Sequence, residues 1–549
     1  MAPLQQRDLR HLADFDVSRR LLTIAALALP IGALGACLAW VLLRLIGLIT
    51  NLVFYDRFGT ALVAPGEGHH APLLILLAPV CGGLVIGMVA RFGSEKVRGH
   101  GIPEAIESIL TAGSRVQPRV ALLKPLSSAI AIGTGGPFGA EGPIIMTGGA
   151  FGSIFAQLLH LTADERKTLL VCGAAAGMAA TFNAPLASVL LAVELLLFEW
   201  RPRSFVPVVA AVAVATALRV PLLGGGPVFA TPPGPLHLDA AAYGLCLAAG
   251  ALAGLLALLA TSLVYLSEDA FSRLPIHWMW WPALGGLVVG LGGLVVPQAL
   301  GVGYNVIAGE LNGSITLDLI VGILIVKTLI WSLSLGSGTS GGVLAPMLMI
   351  GGALGGLEAT VFPHVAPGFW PLVGLAGVLG GLMRSPLTGV LFAVELTHRY
   401  EALLPLLIGA TAAYAVSVLV LRRSVLTEKV ARRGVHINRE YSVDPLEVLF
   451  VGDVMSDGDP AASQMNEGPT VYADDTLRHV AYVMAESGRT VLPVAERGRP
   501  GQRVGAIGLE QLLAGRLRDL KEERHRSRPL RPIQLIGQRR TAEVEAASR

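Results

Sequence analysis

Shifted by 203 residues, the first half of this chain falls on its second half. Lys124 lands on Lys327, Gly133 on Gly336, Gly135 on Gly338, Gly139 on Gly342 and Pro143 on Pro346. Gly148, Gly149, Ala150 and Gly152 land on Gly351, Gly352, Ala353 and Gly355. With a shift of 201, Pro185-Leu186 meets Pro386-Leu387 and Ala192-Val193-Glu194 meets Ala393-Val394-Glu395; with 202, Gly99 and Gly101 meet Gly301 and Gly303. So long an ordered match defines two repeats, about 99–196 and 301–397. Repeats of this kind build mid-membrane sites from discontinuous helices at the repeat interface. The sequence leaves open whether the halves are parallel or inverted. Gly148-Gly149 and Gly351-Gly352 fit close helix packing as well as any other role.

The repeats lie in a chain composed for lipid. Of its 549 residues 53% are hydrophobic and 15% charged, and its mean hydropathy is +0.62; soluble domains carry about 25% charged residues. Apolar runs extend over 21–54, 72–89, 120–132, 169–198, 205–218, 240–266, 280–296, 317–335, 345–357, 370–383, 387–396 and 403–421. Several are shorter than the ~20 residues a full span needs. Sixty-six glycines and thirty-four prolines divide them, which predicts an all-α polytopic membrane protein of tilted, broken helices. Arg7, Arg10, Arg19 and Arg20 precede the first run, which has no cleavage signal, and Arg422, Arg423, Lys429, Arg432 and Arg433 follow the last. The positive-inside rule then places both termini in the cytoplasm, for a bacterial inner or plasma membrane protein. A net charge of +3 makes no case for nucleic acid. Cys37, Cys81, Cys172 and Cys246 lack paired spacing and read as packed thiols rather than a disulfide, metal or cofactor site.

Within this framework Glu141 stands out. An ionisable group at a helix centre in lipid costs roughly 2.5–3.5 kcal/mol or more, so it marks a pathway or gate. It sits in Gly139-Ala140-Glu141-Gly142-Pro143, one of three Gly/Pro-marked breaks; the others are Gly99-His100-Gly101-Ile102-Pro103 and Gly341-Gly342-Val343-Leu344-Ala345-Pro346. Proline favours the first helical turn, so each break predicts a helix start with unpaired N–H groups. Three such ends converging would bind an anion without a buried cation. Lys124 and Lys327 either raise the potential nearby or snorkel to an interface. Glu194 and Glu395, at equivalent repeat positions, fit an architectural role such as satisfying loop amides.

These motifs resemble those of the CLC family of chloride channels and proton-coupled anion exchangers. The likeness rests on Gly-x-Gly-Ile-Pro at 99–103, Gly-x-Glu-Gly-Pro at 139–143 and Gly-x-x-x-Pro at 342–346. It extends to Asn183-Ala184-Pro185-Leu186-Ala187, Arg384-Ser385-Pro386-Leu387-Thr388-Gly389 and the segment 427–434, covering about residues 20–435. The resemblance implies an inverted repeat and a homodimer whose subunits each conduct chloride or another small anion. It also implies that Glu141 is the gating glutamate, displaced by protonation, beside an anion site at His100, Gly101, Ile102, Gly142, Val343, Leu344 and Leu426. Four positions depart from the family pattern. His100 replaces a serine, and either adds pH-dependent charge to the inner vestibule or stands neutral on a carbonyl. Ala140 replaces an arginine, and Leu426 a tyrosine of the inner gate. Leu195 replaces the inner proton glutamate; Glu199, four residues on and hence on the same helical face, either substitutes for it or pairs with Arg201 or Arg203.

The expected organisation is thus a cytosolic segment 1–20, a transport domain 21–435, a cytosolic domain 436–520 and a disordered tail 521–549. In the third, a helix from Arg478 and strands at 490–493 and 504–508 resemble one CBS motif; no nucleotide signature is visible, which favours a structural role over adenine nucleotide binding. The function expected is anion transport by a voltage- or pH-dependent channel or a loosely proton-coupled exchanger. Alternatives are a fully coupled anion/proton antiporter, or a carrier of nitrate or fluoride. A membrane enzyme would need a second convergent acid, histidine or metal cluster beside Glu141. A cation transporter with a regulatory CBS domain would need several intramembrane carboxylates or carbonyl rings.

Overall fold

The computed structural model describes residue 15 and residues 18–232, 234–436, 444–457, 469–497, 499–514 and 516–517. Arg7, Arg10 and the tail 521–549 lie outside the described residues. Two compact units divide the chain, one drawn from Val17–Arg439 and the other chiefly from Glu440–Arg549.

The larger unit is helical. Its elements are α1 (Arg20–Phe54), α2 (Pro72–Phe92), α3 (Ile102–Thr111), α4 (Pro118–Gly133), α5 (Glu141–Leu158), α6 (Ala163–Phe182), α7 (Pro185–Leu191), α8 (Pro202–Leu223) and α9 (Ala240–Ser272). There follow α10 (Trp281–Val295), α11 (Tyr304–Asn312), α12 (Leu317–Gly322), α13 (Thr328–Gly336), α14 (Leu344–Glu358), α15 (Phe369–Met383), α16 (Pro386–Thr397), α17 (Leu403–Val420) and α18 (Val425–Arg432). Seven helical segments among the described residues are long and apolar enough to cross a membrane. Proline opens α2, α4, α7, α8 and α16, where its missing N–H is no loss. Thr162 and Glu165 cap α6 reciprocally, and Asp239 accepts the Ala242 amide at the start of α9.

All three breaks read from the sequence as helix starts are starts: α3, α5 and α14 begin at Ile102, Glu141 and Leu344. The apolar run 169–198, in contrast, is not one helix. Asn183 takes a left-handed conformation and ends α6, as Arg384 ends α15. A π-helical turn over Ala192–Leu197 follows α7 and stops at Phe198, also left-handed.

The halves are inverted. α7 and its π turn end beside the start of α6, where Lys167 and Glu199 approach within 3.8 Å. Their counterpart α16 ends on the far side of the 22-residue α8, where Phe229 donates to the Leu396 carbonyl and Arg399 to that of Pro232. Close glycine contacts repeat in both halves. A Cβ on Gly148 would lie 2.2 Å from the Gly173 carbonyl oxygen and one on Gly173 2.1 Å from that of Gly148; Gly351 and Gly374 stand in the same relation. These glycines let α5 approach α6, and α14 approach α15, backbone to backbone.

The smaller unit holds a four-stranded sheet of order β1-β4-β3-β2, with β1 (Ser456–Asp457), β2 (Val471–Tyr472), β3 (Val491–Glu496) and β4 (Arg499–Gly508). β2 and β3 run parallel, linked through a helix over Leu477–Ser487, and β3 pairs antiparallel with β4. Val451, Val471, Leu477, Val480, Leu492, Val494 and Ile507 form its core.

Candidate functional site

The two halves meet through their glycine breaks. Gly139 and Gly342 exchange backbone hydrogen bonds, Gly342 N–H to Gly139 O at 2.8 Å and Gly139 N–H to Gly342 O at 3.3 Å. Two further bonds are images of each other under exchange of the halves: Gly301 N–H to Gly135 O (3.0 Å) and Gly99 N–H to Gly338 O (3.4 Å). The Ser128 and Ser340 hydroxyls join at 2.8 Å. Satisfied in this way, irregular backbone is tolerated at membrane depth.

Glu141 lies inside this junction, fully buried. Its Oε1 accepts the Ala345 amide of the other half at 2.9 Å, in the first turn of α14. Its carboxylate fills space that only glycine leaves open: a Cβ on Gly139 would lie 1.9 Å from Oε2, and one on Gly342 2.2 Å from it. An acid thus occupies a helix start, where an exogenous anion would also be favoured. The first break closes on the same point. A Cβ on Gly142 would fall 1.7 Å from the His100 carbonyl oxygen, with the Gly342 Cα 3.3 Å away, and one on Gly101 2.5 Å from the Gly142 carbonyl oxygen. His100, Gly101, Ile102, Gly142, Val343 and Leu344 are therefore brought together, and each is buried. Leu426, also buried, lies in the first turn of α18, which packs against α3.

Several expectations need correction. The Gly101 amide is not free for an anion, because Glu104 Oε2 takes it at 2.8 Å in a capping box. His100 is 1% exposed, and its Nδ1 has no hydrogen-bond partner among the described residues, so it is not anchored on a carbonyl through that nitrogen. The lysines do not snorkel. Both are fully buried; Lys124 Nζ donates to Val97 O (2.9 Å) and Gly99 O (2.6 Å), and Lys327 Nζ to Ala299 O (2.8 Å) and Gly301 O (2.7 Å). Each lysine pins the loop that precedes a central helix start in its own half. Glu199 is not on the helical face of Leu195, because the left-handed Phe198 ends the turn first. It accepts from Ser204 Oγ at 2.7 Å and lies 3.7–3.8 Å from Lys167, Arg201 and Arg203.

The paired glutamates cross between halves. Glu395 accepts the Leu186 and Ala187 amides at the start of α7, at 2.9 and 2.8 Å, and Glu194 accepts from Thr388 Oγ1 of α16 at 2.5 Å. Sequence reasoning missed Ala345 and Glu104; the second was signalled by its spacing of three from a helix-start glycine. A cavity of about 500 Å³ opens beside the first break, lined by Arg98, Glu104, Glu107, Lys429, Arg432 and Arg433 among others. Arg433 pairs with Glu104 at 3.0 Å.

Inverted halves whose helix starts enclose one buried acid fit an integral membrane ion transporter. The sequence from 81 to 418 matches the family model described as voltage gated chloride channel, and the chain belongs to that family. It is 32% identical over 370 residues to the voltage-gated ClC-type chloride channel ClcB of Citrobacter koseri, covering 66% of this chain and 88% of the relative. It is 31% identical over 404 residues to the H(+)/Cl(-) exchange transporter ClcA of Vibrio vulnificus, covering 69% and 84%. Among solved structures, a slow cyanobacterial Cl-/H+ antiporter superposes with a TM-score of 0.64 at 23% identity, over 76% of this chain and 99% of that one. A eukaryotic CLC transporter gives 0.61 at 18%, over 90% and 98%. These two share the fold.

Proposed function

We infer that this protein carries chloride or a similar small anion across the membrane through the junction of its halves, with Glu141 as the gate. The observation that carries this reading is the Glu141 carboxylate seated on the Ala345 amide, in glycine-lined space, where a mobile anion would compete for the same helix start. Protonation removes the gate's charge, weakens its hold and frees the site. Relatives named as a channel and as an exchanger both match. Leu195, buried and apolar, favours a channel or loosely coupled exchanger over full proton coupling. The ion cluster around Glu199 supports a surface-anchoring role for that residue.

The cavity beside Glu104 and Arg433 then serves as the inner entrance, with both termini cytoplasmic. The strand–helix–strand order of β2, the helix after it and β3 supports the CBS-like reading of the smaller unit. Exposed Leu186 and Leu387, at equivalent repeat positions, fit an apolar contact within a homodimer. The test is purified protein in liposomes under a chloride gradient, with external chloride and pH followed together. Chloride efflux independent of the cation, with few or no protons moved, is the expected result. No efflux under any anion gradient overturns the assignment, and tight stoichiometric proton movement overturns the loose coupling.

A further inference from the structure

The first half's lysine has company: Glu104, beside Lys124, is paired with Arg433 and bonded to Gly101. The second half is built differently. Glu310, in the last turn of α11, is 3% exposed, and neither carboxylate oxygen has a hydrogen-bond partner among the described residues. A Cβ on Gly352 of α14 would lie 2.2 Å from Glu310 Oε2, so the carboxylate is seated in a niche this glycine leaves. Lys327 is the charge that acts on Glu310, and the same Lys327 also feels Glu141. One buried ammonium, held on the Ala299 and Gly301 carbonyls, thus lies within electrostatic reach of two buried carboxylates.

Other neighbours do not balance Glu310. α15 brings Phe369, Trp370 and Pro371, none of them charged, to the adjoining cavity, and the loop before it brings His364. Glu358 ends α14 but lies toward Cys246 of α9. Glu67 bonds Asn305 Nδ2 at 2.7 Å near the start of α11. The cavity, about 460 Å³, is lined by Glu310, Asn312, His364 and Trp370. Phe369 and Trp370 open α15, the inverted counterpart of α6, whose start at Glu165 bonds Arg20 at the beginning of α1; the cavity therefore lies on the opposite face, which the proposed orientation makes external. An ionised carboxylate buried without hydrogen bonds is strongly disfavoured, so with one cation for two acids a proton must sit on one of them.

We propose that Glu310 is a second proton-binding site of the transport machinery, reached from the external cavity, and that it shares Lys327 with Glu141. The inference rests on the reading of Glu141 as the gate. When Glu141 is ionised Lys327 balances it and Glu310 holds the proton; when Glu141 is protonated Lys327 is released to Glu310, which gives its proton up. External acid then reaches the gate through two coupled groups rather than one.

The test compares chloride efflux against external pH for wild type, Glu310→Gln and Glu141→Gln. Glu310→Gln leaves Lys327 wholly to Glu141, so more acid is needed to free the gate, and the profile moves to lower pH by about one unit. Gly352→Ala, whose Cβ displaces only the flexible end of Glu310, moves the profile as well and serves if Glu310→Gln does not fold. Infrared difference spectra between acid and alkaline pH provide a readout independent of flux. In Glu141→Gln protein a carboxylic-acid band appears on acidification, and it is lost in the Glu141→Gln/Glu310→Gln pair. An unmoved profile in both single variants, or a band unaltered by Glu310→Gln, overturns the proposal. Persistent pH dependence in Glu141→Gln alone overturns the gate assignment instead, and leaves the band to decide on Glu310.

Discussion

Glu141→Gln separates charge from shape at the junction. The amide side chain is nearly the same size, so the glycine niche between Gly139 and Gly342 still accommodates it. Its oxygen can still accept from Ala345 N–H, but as a neutral acceptor. A hydrogen bond to a charged group contributes roughly 1.5–3 kcal/mol and a neutral one roughly 0.5–1.5. The substitution therefore weakens the gate's hold by about 1–1.5 kcal/mol, which is about a tenfold gain for a competing anion. In wild type, efflux rises as pH falls, because the neutral acid competes less well; in the variant that slope disappears. Chloride titration calorimetry on detergent-solubilised protein reads the affinity, and a chloride electrode on liposomes reads the flux from pH 4 to 9, a range spanning ordinary carboxylate and histidine titration. An unchanged chloride affinity together with the wild-type pH slope would refute the reasoning. It would mean that the Glu141 charge does not compete for the site.

Lys124→Met orphans Val97 O and leaves Gly99 O with only the Gly341 amide at 3.4 Å; at ~1–3 kcal/mol for an orphaned buried acceptor, the melting temperature of the purified protein falls by several degrees, read by size-exclusion after heating. His100→Ser shortens a side chain whose Nδ1 has no partner among the described residues and supplies a hydroxyl donor at the first break, so chloride binds several-fold more tightly by calorimetry. Glu199→Gln removes long ion pairs near the surface and leaves an amide oxygen able to accept from Ser204 Oγ; stability changes by less than about 1 kcal/mol, and flux with its proton dependence stays at the wild-type level in liposomes.

Much of this architecture could be read before any coordinates. Glycine and proline are legible because they act through the backbone: each of the three breaks had to interrupt a helix, and the proline behind it had to restart one. The repeat offset announced which residues would be structural counterparts, and Lys124 and Lys327 do perform identical tasks. What those tasks are was hidden, since a lysine's partners are set by tertiary placement; the carbonyls of Val97 and Ala299 lie 27 and 28 residues away. Glu199 shows a second limit. Helical periodicity extrapolates only while the helix lasts, and one left-handed residue at Phe198 reset the phase. Glu310, in Gly309-Glu310-Leu311-Asn312-Gly313, reads as a surface turn; its burial depends on α14 lacking a side chain at Gly352.

The bridge between Gly139 and Gly342 has a consequence for biogenesis. Its two strands are separated by about 200 residues, a gap the ribosome needs some ~10–40 s to cross at ~5–20 residues per second. Throughout that interval the nascent first half sits in the bilayer with its central amides and carboxylate lacking their partners. An insertion factor that shields this half-built interface, or a delay in releasing it from the translocon, would matter more to the yield of active protein than the strength of any finished contact.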